Sequence, residues 1–257
     1  MGDWVRGVNR LRALLASIFP SLEGAFDYST RSSLILLTGF QTPASLRDAG
    51  RDGVQAYLTE HGGWPKGITA MADKALEAAL EQTVVLPTEK VTAPLIARLA
   101  ADLLDLDRRI KDLDKELTER FEEHGHAKAI TSIPGFGPIL GAQFLADTGG
   151  DLQRAFGTPG RLAAYAGLAP VPRDSGRVKG NMHRPKRYHR GLRRVFYLAA
   201  FSSIRADGPS KTFYQRKRSE GKVHTQALIA LARRLIDVIW ALIRDNREFQ
   251  PQVAVAA

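Results

Sequence analysis

The feature that most constrains the fold is an apolar seam between residues 94 and 123. Ile96, Leu99, Leu103, Leu106, Ile110, Leu113, Leu117 and Phe121 recur at spacings of 3, 4, 3, 4, 3, 4 and 4. A stripe that returns every third or fourth residue occupies one face of an α-helix, and its sustained alternation is the heptad pattern of a coiled coil. Such a helix runs roughly 40 Å. Asp102, Asp105, Asp107, Asp112, Asp114, Glu116 and Glu119 interleave with Arg108, Arg109, Lys111 and Lys115 on the other positions, which reads as a solvated face. The seam needs an apolar partner. The helix at 3–19, ended by Pro20, has a matching stripe in Val8, Leu11, Leu15 and Ile18 but only about half the length. The remainder calls for a second chain or for more helix upstream. The expectation is a homo-oligomer through the coiled coil, a dimer in the simplest case.

The rest of the chain also reads as helical. Residues 68–82 carry Ile68, Ala72, Ala75, Leu76 and Ala79 at helical spacing; Pro87 and Pro94 bracket a loop and the first turn of the long helix. Thr158 and Pro159 suit the N-cap and first position of a short helix over 158–168. Residues 188–206 bury Leu192, Val195, Phe196, Ala199 and Ser203 on one face. Residues 223–245 form a core helix through Leu228, Leu231, Leu235, Val238, Ile239 and Leu242. Between them, 170–190 holds three prolines and two glycines without apolar periodicity, and is a loop. The expected fold is all-α: a coiled-coil segment over 1–128, then a compact helical domain over 129–257. Short strands fit 31–60 or the region near 170–180.

Charge separates the two halves. Residues 1–150 carry 16 basic and 20 acidic side chains, and residues 151–257 carry 21 and 7. A net of +14 over the C-terminal part would repel itself without a counter-charge, so a polyanion partner is favoured over an inert basic surface. There are no cysteines in the 257 residues, which excludes disulfides, cysteine-ligated zinc, iron–sulfur clusters and thiol catalysis. No apolar run is long enough to span a membrane and the N-terminus has no signal core, so the expected location is the cytoplasm.

Three features carry chemistry. In Ile133-Pro134-Gly135-Phe136-Gly137-Pro138, an apolar–Pro–Gly–apolar–Gly turn between two helices is the helix-hairpin-helix pattern. Gly135 and Gly137 let the backbone approach a phosphate, and the next helix start offers free N–H groups; the same turn also serves as a plain connection in a core. Secondly, Arg173, Arg177, Lys179, Arg184, Lys186, Arg187, Arg190, Arg193 and Arg194 set nine cations against the single acid Asp174. Arg190, Arg193, Arg194 and Tyr197 share one helical face, suited to phosphates and one sugar or base. A second basic stretch runs from Lys211 to Arg218. Thirdly, Ser175 stands among these arginines before Gly176. It is placed to attack a phosphodiester whose developing charge the guanidinium groups stabilise, although a Ser-Gly turn alone fits the spacing. His124 and His126 beside Glu122 and Glu123 read as solvated, and no residues of the chain read as metal ligands.

The runs SIPGFGPILGAQFLADTGGDLQRAF, LAAYAGLAPVPRDSGR, KRYHRGLRRVFYLAAFSSI and FYQRKRSEGKVHTQALIALARR resemble the C-terminal transposase domain of DEDD-type insertion-sequence transposases. That family is related to pilin-gene invertases and is described as bridge-RNA-guided DNA recombinases. NRLRALLASIFPSLEGAFDY and LLTGFQTPASLRDAG resemble the segment linking the family's two catalytic domains, so the likeness runs along essentially the whole chain. It implies that Ser175 is the nucleophile forming a covalent phosphoserine link to DNA, and that DNA and a guide RNA are partners. It also implies magnesium, held in the family by four acidic residues of an N-terminal RNase H-like domain. None of those four carries over to this sequence: they belong upstream of a segment like Asp3–Phe19. A truncated transposase, a decayed copy or a start placed too late is therefore expected. Two functions follow, a serine recombinase completed by those acids and a nucleic-acid-binding remnant without catalysis.

Overall fold

The computed structural model describes residues 2–250, apart from Arg173, Ser175, Val178, Lys179, Asn181 and Arg184. Its described residues are mostly helical, with one two-stranded ribbon. The chain divides into two compact units, Met1–Asp112 and Leu113–Ala257.

The first unit contains α1 (Gly2–Ile18), α2 (Pro20–Ala25), α3 (Arg31–Gly39), α4 (Pro43–Glu60), α5 (Ile68–Glu81) and the first two-thirds of α6 (Glu89–Glu122). Residues 31–60, where strands would have fitted, are helical. The helix α4 starts in a capping box, with Thr42 accepting from the Ser45 N–H at 3.1 Å. It bends at Gly50, whose φ of 62° interrupts the helix. Leu11, Leu15 and Ile18 of α1 are buried, as their stripe requires, together with Phe19, Leu22, Leu34, Leu36 and Leu37. Burying each such side chain contributes about 1.5–3 kcal/mol. Tyr28 is buried with its hydroxyl donating to the Leu22 carbonyl at 2.5 Å.

The long helix begins at Glu89, so Pro94 sits inside it rather than in its first turn. Its seam is covered unevenly. Ile96 and Leu103 are buried, and Gly7 of α1 lies so close to Leu103 that a Cβ there would stand 2.7 Å from Leu103 Cδ2. Leu106 and Ile110 are half-buried, and Leu113 and Leu117 are exposed.

The second unit takes the end of α6, then α7 (Ala127–Thr131), α8 (Pro138–Thr148), α9 (Leu152–Phe156), α10 (Pro159–Tyr165), β1 (Val171–Pro172), β2 (Met182–His183), α11 (Arg190–Ser203), α12 (Pro209–Ser219) and α13 (His224–Arg244). The core is built on α13, whose Leu228, Leu231, Leu235, Ile236, Ile239 and Leu242 are buried, and on the expected face of α11. Phe136, Phe144 and Phe196 meet edge to face at 5.7–6.5 Å between centroids.

Candidate nucleic-acid interface

The loop that carries most of the predicted cations leaves the body of the second unit at a tightly built root. Thr158 caps α10 by accepting from the Arg161 N–H at 3.3 Å, and Pro159 takes its first position. The chain then turns at Gly167, with φ of 68°. A Cβ at that glycine would lie 2.5 Å from Tyr188 Cγ, so only glycine lets the two ends of the loop come together here. Four contacts hold them. The His189 N–H donates to the Tyr165 carbonyl at 2.8 Å. The His189 ring stacks on Tyr165 at 5.3 Å. Arg193 Nη1 donates to the Gly167 carbonyl at 2.6 Å, and its guanidinium lies 5.0 Å from the centre of the Tyr188 ring. Beyond the root, β1 and β2 pair antiparallel, with Val171 opposite His183 and Pro172 opposite Met182.

Residues 173–181 connect these strands, so the pairing brings the two ends of the Ser175 segment together. Ser175, Arg173, Lys179 and Arg184 themselves lie outside the described residues. Of the predicted cations that are described, Arg177, Lys186, Arg187, Arg190 and Arg194 are exposed. Arg193 is half-buried and acts on the chain itself, as a clamp on the root. The expected face of α11 is therefore divided: Arg190 and Arg194 are exposed while the half-buried Arg193 ties the loop down.

His189 organises the start of α11. Its Nδ1 accepts from the Leu192 N–H at 3.1 Å, which places the ring proton of the neutral form on Nε2. Asp147, from the last turn of α8, lies 3.8 Å from the same Nδ1, and its Oδ2 is buried without a hydrogen-bond partner. A Cβ on Gly191 would stand 2.7 Å from that oxygen, so Gly191 lets α11 approach the carboxylate. Asp147, Tyr165, Tyr188 and His189 were not singled out from the sequence. The available signal was a histidine immediately ahead of an arginine-rich helix, a position where a side chain caps the first turn.

The hairpin glycines separate into two roles. Gly135 has φ of 91°, and any Cβ on it would collide with the Ala199 carbonyl of α11. Close packing on α11 thus accounts for this glycine. Gly137 has open space around it and precedes α8, which has no side-chain cap. With Pro138 lacking an N–H, the first-turn N–H groups of Ile139 and Leu140 have no helical acceptor. The hairpin rests at the Ala199–Ser203 end of α11, whereas Asp147 meets Gly191 at its start. The helices α8 and α11 therefore run antiparallel, and the hairpin and the root of the basic loop sit at opposite ends of α11.

Among the described residues no three His, Asp or Glu side chains converge on a point where a metal ion would fit. No helix among them is long and apolar enough to cross a membrane.

A sequence model described as the transposase IS116/IS110/IS902 family matches residues 127–215, the stretch from the hairpin through the basic loop and α11 into α12. The "insertion element IS900 uncharacterized 42 kDa protein" of Mycobacterium paratuberculosis is 49% identical over 258 residues, covering 100% of this chain and 64% of that protein. The "insertion element IS116 uncharacterized 44.8 kDa protein" of Streptomyces clavuligerus is 51% identical, covering 98% of this chain and 62% of its own length. The pilin gene-inverting protein of Moraxella bovis is 28% identical over 51% of this chain and 41% of its own length. The chain spans less than two thirds of the length of these relatives.

Proposed function

We infer, from a chain that carries an IS116/IS110/IS902 family transposase domain, that it acts on DNA in the movement of an insertion element. Exposed Arg177, Lys186, Arg187, Arg190 and Arg194 hold backbone phosphates, and Ser175 is the nucleophile. Ser175 Oγ attacks a phosphorus atom, its proton leaves, and a phosphoserine ester forms. The displaced sugar oxygen departs as a hydroxyl. Neighbouring guanidinium groups offset the charge that builds on the phosphoryl oxygens. The observation that carries this reading is the root of the loop, where Tyr165, Gly167, Tyr188, His189 and Arg193 fix both ends of an otherwise polar, basic segment. A device that costs this much packing is of use when the segment must be delivered in register to a reacting bond.

A guide RNA is the second polyanion in this reading, and the cytoplasm the place where both nucleic acids are met. Magnesium belongs to the family's chemistry, but no step above is routed through it, because the described residues do not fit it. A second copy of this chain covers the exposed Leu113 and Leu117 of α6, which together with Phe121, Ala142 and Leu145 line a groove of about 590 Å³. Dimer by sedimentation for the unaltered chain, and monomer for Leu117→Glu, is the expected outcome.

Ser175→Ala tests the chemistry. The variant is expected to lose every covalent protein–DNA adduct, trapped by denaturing gel, while binding DNA as the unaltered chain does. An adduct that survives the substitution removes Ser175 from the reaction. The exposed cations of the basic loop and α11 also support a second reading, binding without catalysis. It predicts salt-sensitive binding and no adduct from the unaltered chain, with or without added magnesium.

A further inference from the structure

The far end of α11 and the elbow between α12 and α13 hold aromatic rings and cations that the reading above does not use. Phe201 lies in the last turn of α11, Tyr214 in α12, and His224 opens α13. The Tyr214 hydroxyl and His224 Nδ1 are hydrogen-bonded at 2.7 Å. The His224 ring meets Tyr214 at 5.7 Å and Phe201 at 6.4 Å, both nearly perpendicular. Three helices thus contribute one ring each to a single patch. Phe201 and His224 are exposed and Tyr214 is half-buried.

Cations border the rings. The Arg205 guanidinium lies 5.0 Å from the centre of Phe201, and Arg218 Nη1 donates to the Lys222 carbonyl at 2.9 Å. From 201 to 224 there are six cations and two acids. Asp207 is taken by Lys211 at 2.7 Å and Glu220 by Lys217 at 2.6 Å. Among the described residues no ion pair engages Arg205, Arg218 or Lys222. The helix α12 buries none of its residues fully. Both of its rings, Phe213 and Tyr214, pack against the edge of the core, with Arg216, Lys217 and Arg234 around Phe213 at 5.1–5.6 Å. The rings anchor α12 at the edge of the core, and its cations and the Tyr214 hydroxyl remain on the outer side, beside the exposed Phe201 and His224.

Exposed rings held by ring contacts and a hydrogen bond, bordered by guanidinium groups, match the chemistry of an unpaired strand. A base out of a duplex offers a π-face and an adjacent phosphate; paired bases hide their faces. We propose that Phe201, Tyr214 and His224 form a stacking platform for unpaired bases, with Arg205, Arg218 and Lys222 on the neighbouring phosphates. The proposal rests on the reading that the second unit binds nucleic acid. It uses a different surface, because Phe201 lies about 16 Å along α11 from Arg190. Stacking does not separate RNA from DNA, so the test includes both.

The full chain is titrated with short single strands of DNA and of RNA carrying 2-aminopurine, and with the matching DNA duplex, at fixed salt. Phe201→Leu and His224→Ala are compared with the unaltered chain, and thermal melting checks that both variants fold. Single-strand affinity is expected to fall by about 5- to 100-fold on loss of a stacking ring, with loss of the 2-aminopurine quenching. Duplex affinity is expected to stay unchanged. A larger loss on RNA assigns a guide strand to the platform, and a larger loss on DNA assigns an opened target strand. Unaltered single-strand binding and quenching in both variants overturns the platform while leaving duplex binding by the basic loop intact. Equal losses on single strand and duplex also overturn it. Absence of binding to any nucleic acid by the unaltered chain overturns the wider reading itself.

Discussion

The two units differ in the balance of their charges. Met1–Asp112 carries 13 basic and 14 acidic side chains, and Leu113–Ala257 carries 24 and 13. In the first unit several cations are turned onto the chain: Arg12 pairs with Glu23 and Arg51 with Asp73, each at 2.6 Å, while Arg47 donates to the Ala79 and Gln82 carbonyls. In the second unit Arg193 is turned inward in the same way, to the Gly167 carbonyl, but Arg177, Lys186, Arg187 and Arg190 stand in solvent with a large excess of like charge around them. A balanced charge set describes a protein's own surface. An unbalanced one describes the partner that neutralises it.

Substitutions sharpen this contrast, and the largest effect is structural. Gly135→Ala is expected to destabilise the second unit by about 3 kcal/mol or more, because it adds a Cβ against the Ala199 carbonyl at a positive φ. Gly137→Ala, with open space around it, is expected to leave the melting temperature close to that of the unaltered chain and to weaken DNA binding if the hairpin touches phosphate. Equal melting temperatures for the two variants would break the assignment of Gly135 to packing.

The next effect is electrostatic. Replacing Arg177, Lys186, Arg187 or Arg190 by alanine is expected to reduce the salt slope of DNA binding by about one unit each, as one phosphate contact is lost. Replacing Arg108 or Lys111 of α6, which pair with Asp105 and Asp107, is expected to leave the slope unchanged. A slope that falls equally for both groups would erase the distinction between the units.

The smallest effect is a dependence on pH. Burial, and then the neighbouring His124, hold the His126 imidazole below its usual range, and its Nδ1 is buried without a partner. The unfolded chain then takes up a proton before the folded one does. His126 therefore leaves stability unaffected above the ordinary imidazole pKa, and stability is lost as pH falls below it, until the depressed folded value is reached. His126→Gln is expected to flatten the fall in melting temperature across that window. An unchanged profile would place the acid sensitivity elsewhere.

Most of the helices were legible in the sequence because apolar spacing and caps are local signals. The stripes of α1, α11 and α13 and the Thr158–Pro159 start of α10 all follow from residues within a few positions of one another. The helix α6 begins at Glu89, five residues ahead of Pro94: the first turn is a common position for proline but not the only one. Of the site, the basic residues were legible as composition. Their division was not: Arg193 and Arg190 are indistinguishable by type and share a helical face, and only the Gly167 carbonyl beside one of them separates a clamp from a contact. The patch of Phe201, Tyr214 and His224 escaped for a related reason. Its rings stand on three helices, up to 23 residues apart, so no window along the chain contains the pattern.

The helical class, the uneven charge of the two halves, the seam of α6 and the likeness that the family match then supported could all be read along the chain. Each depends on residue type at short range or on a sum over the chain. Which glycine serves packing and which faces solvent, which arginine holds the loop and which are exposed, and how far the seam is covered emerge only once the chain is folded. Those depend on the close approach of backbones and side chains distant in sequence. There, van der Waals contact and hydrogen-bond geometry over a few ångströms select among residues that composition treats as equal.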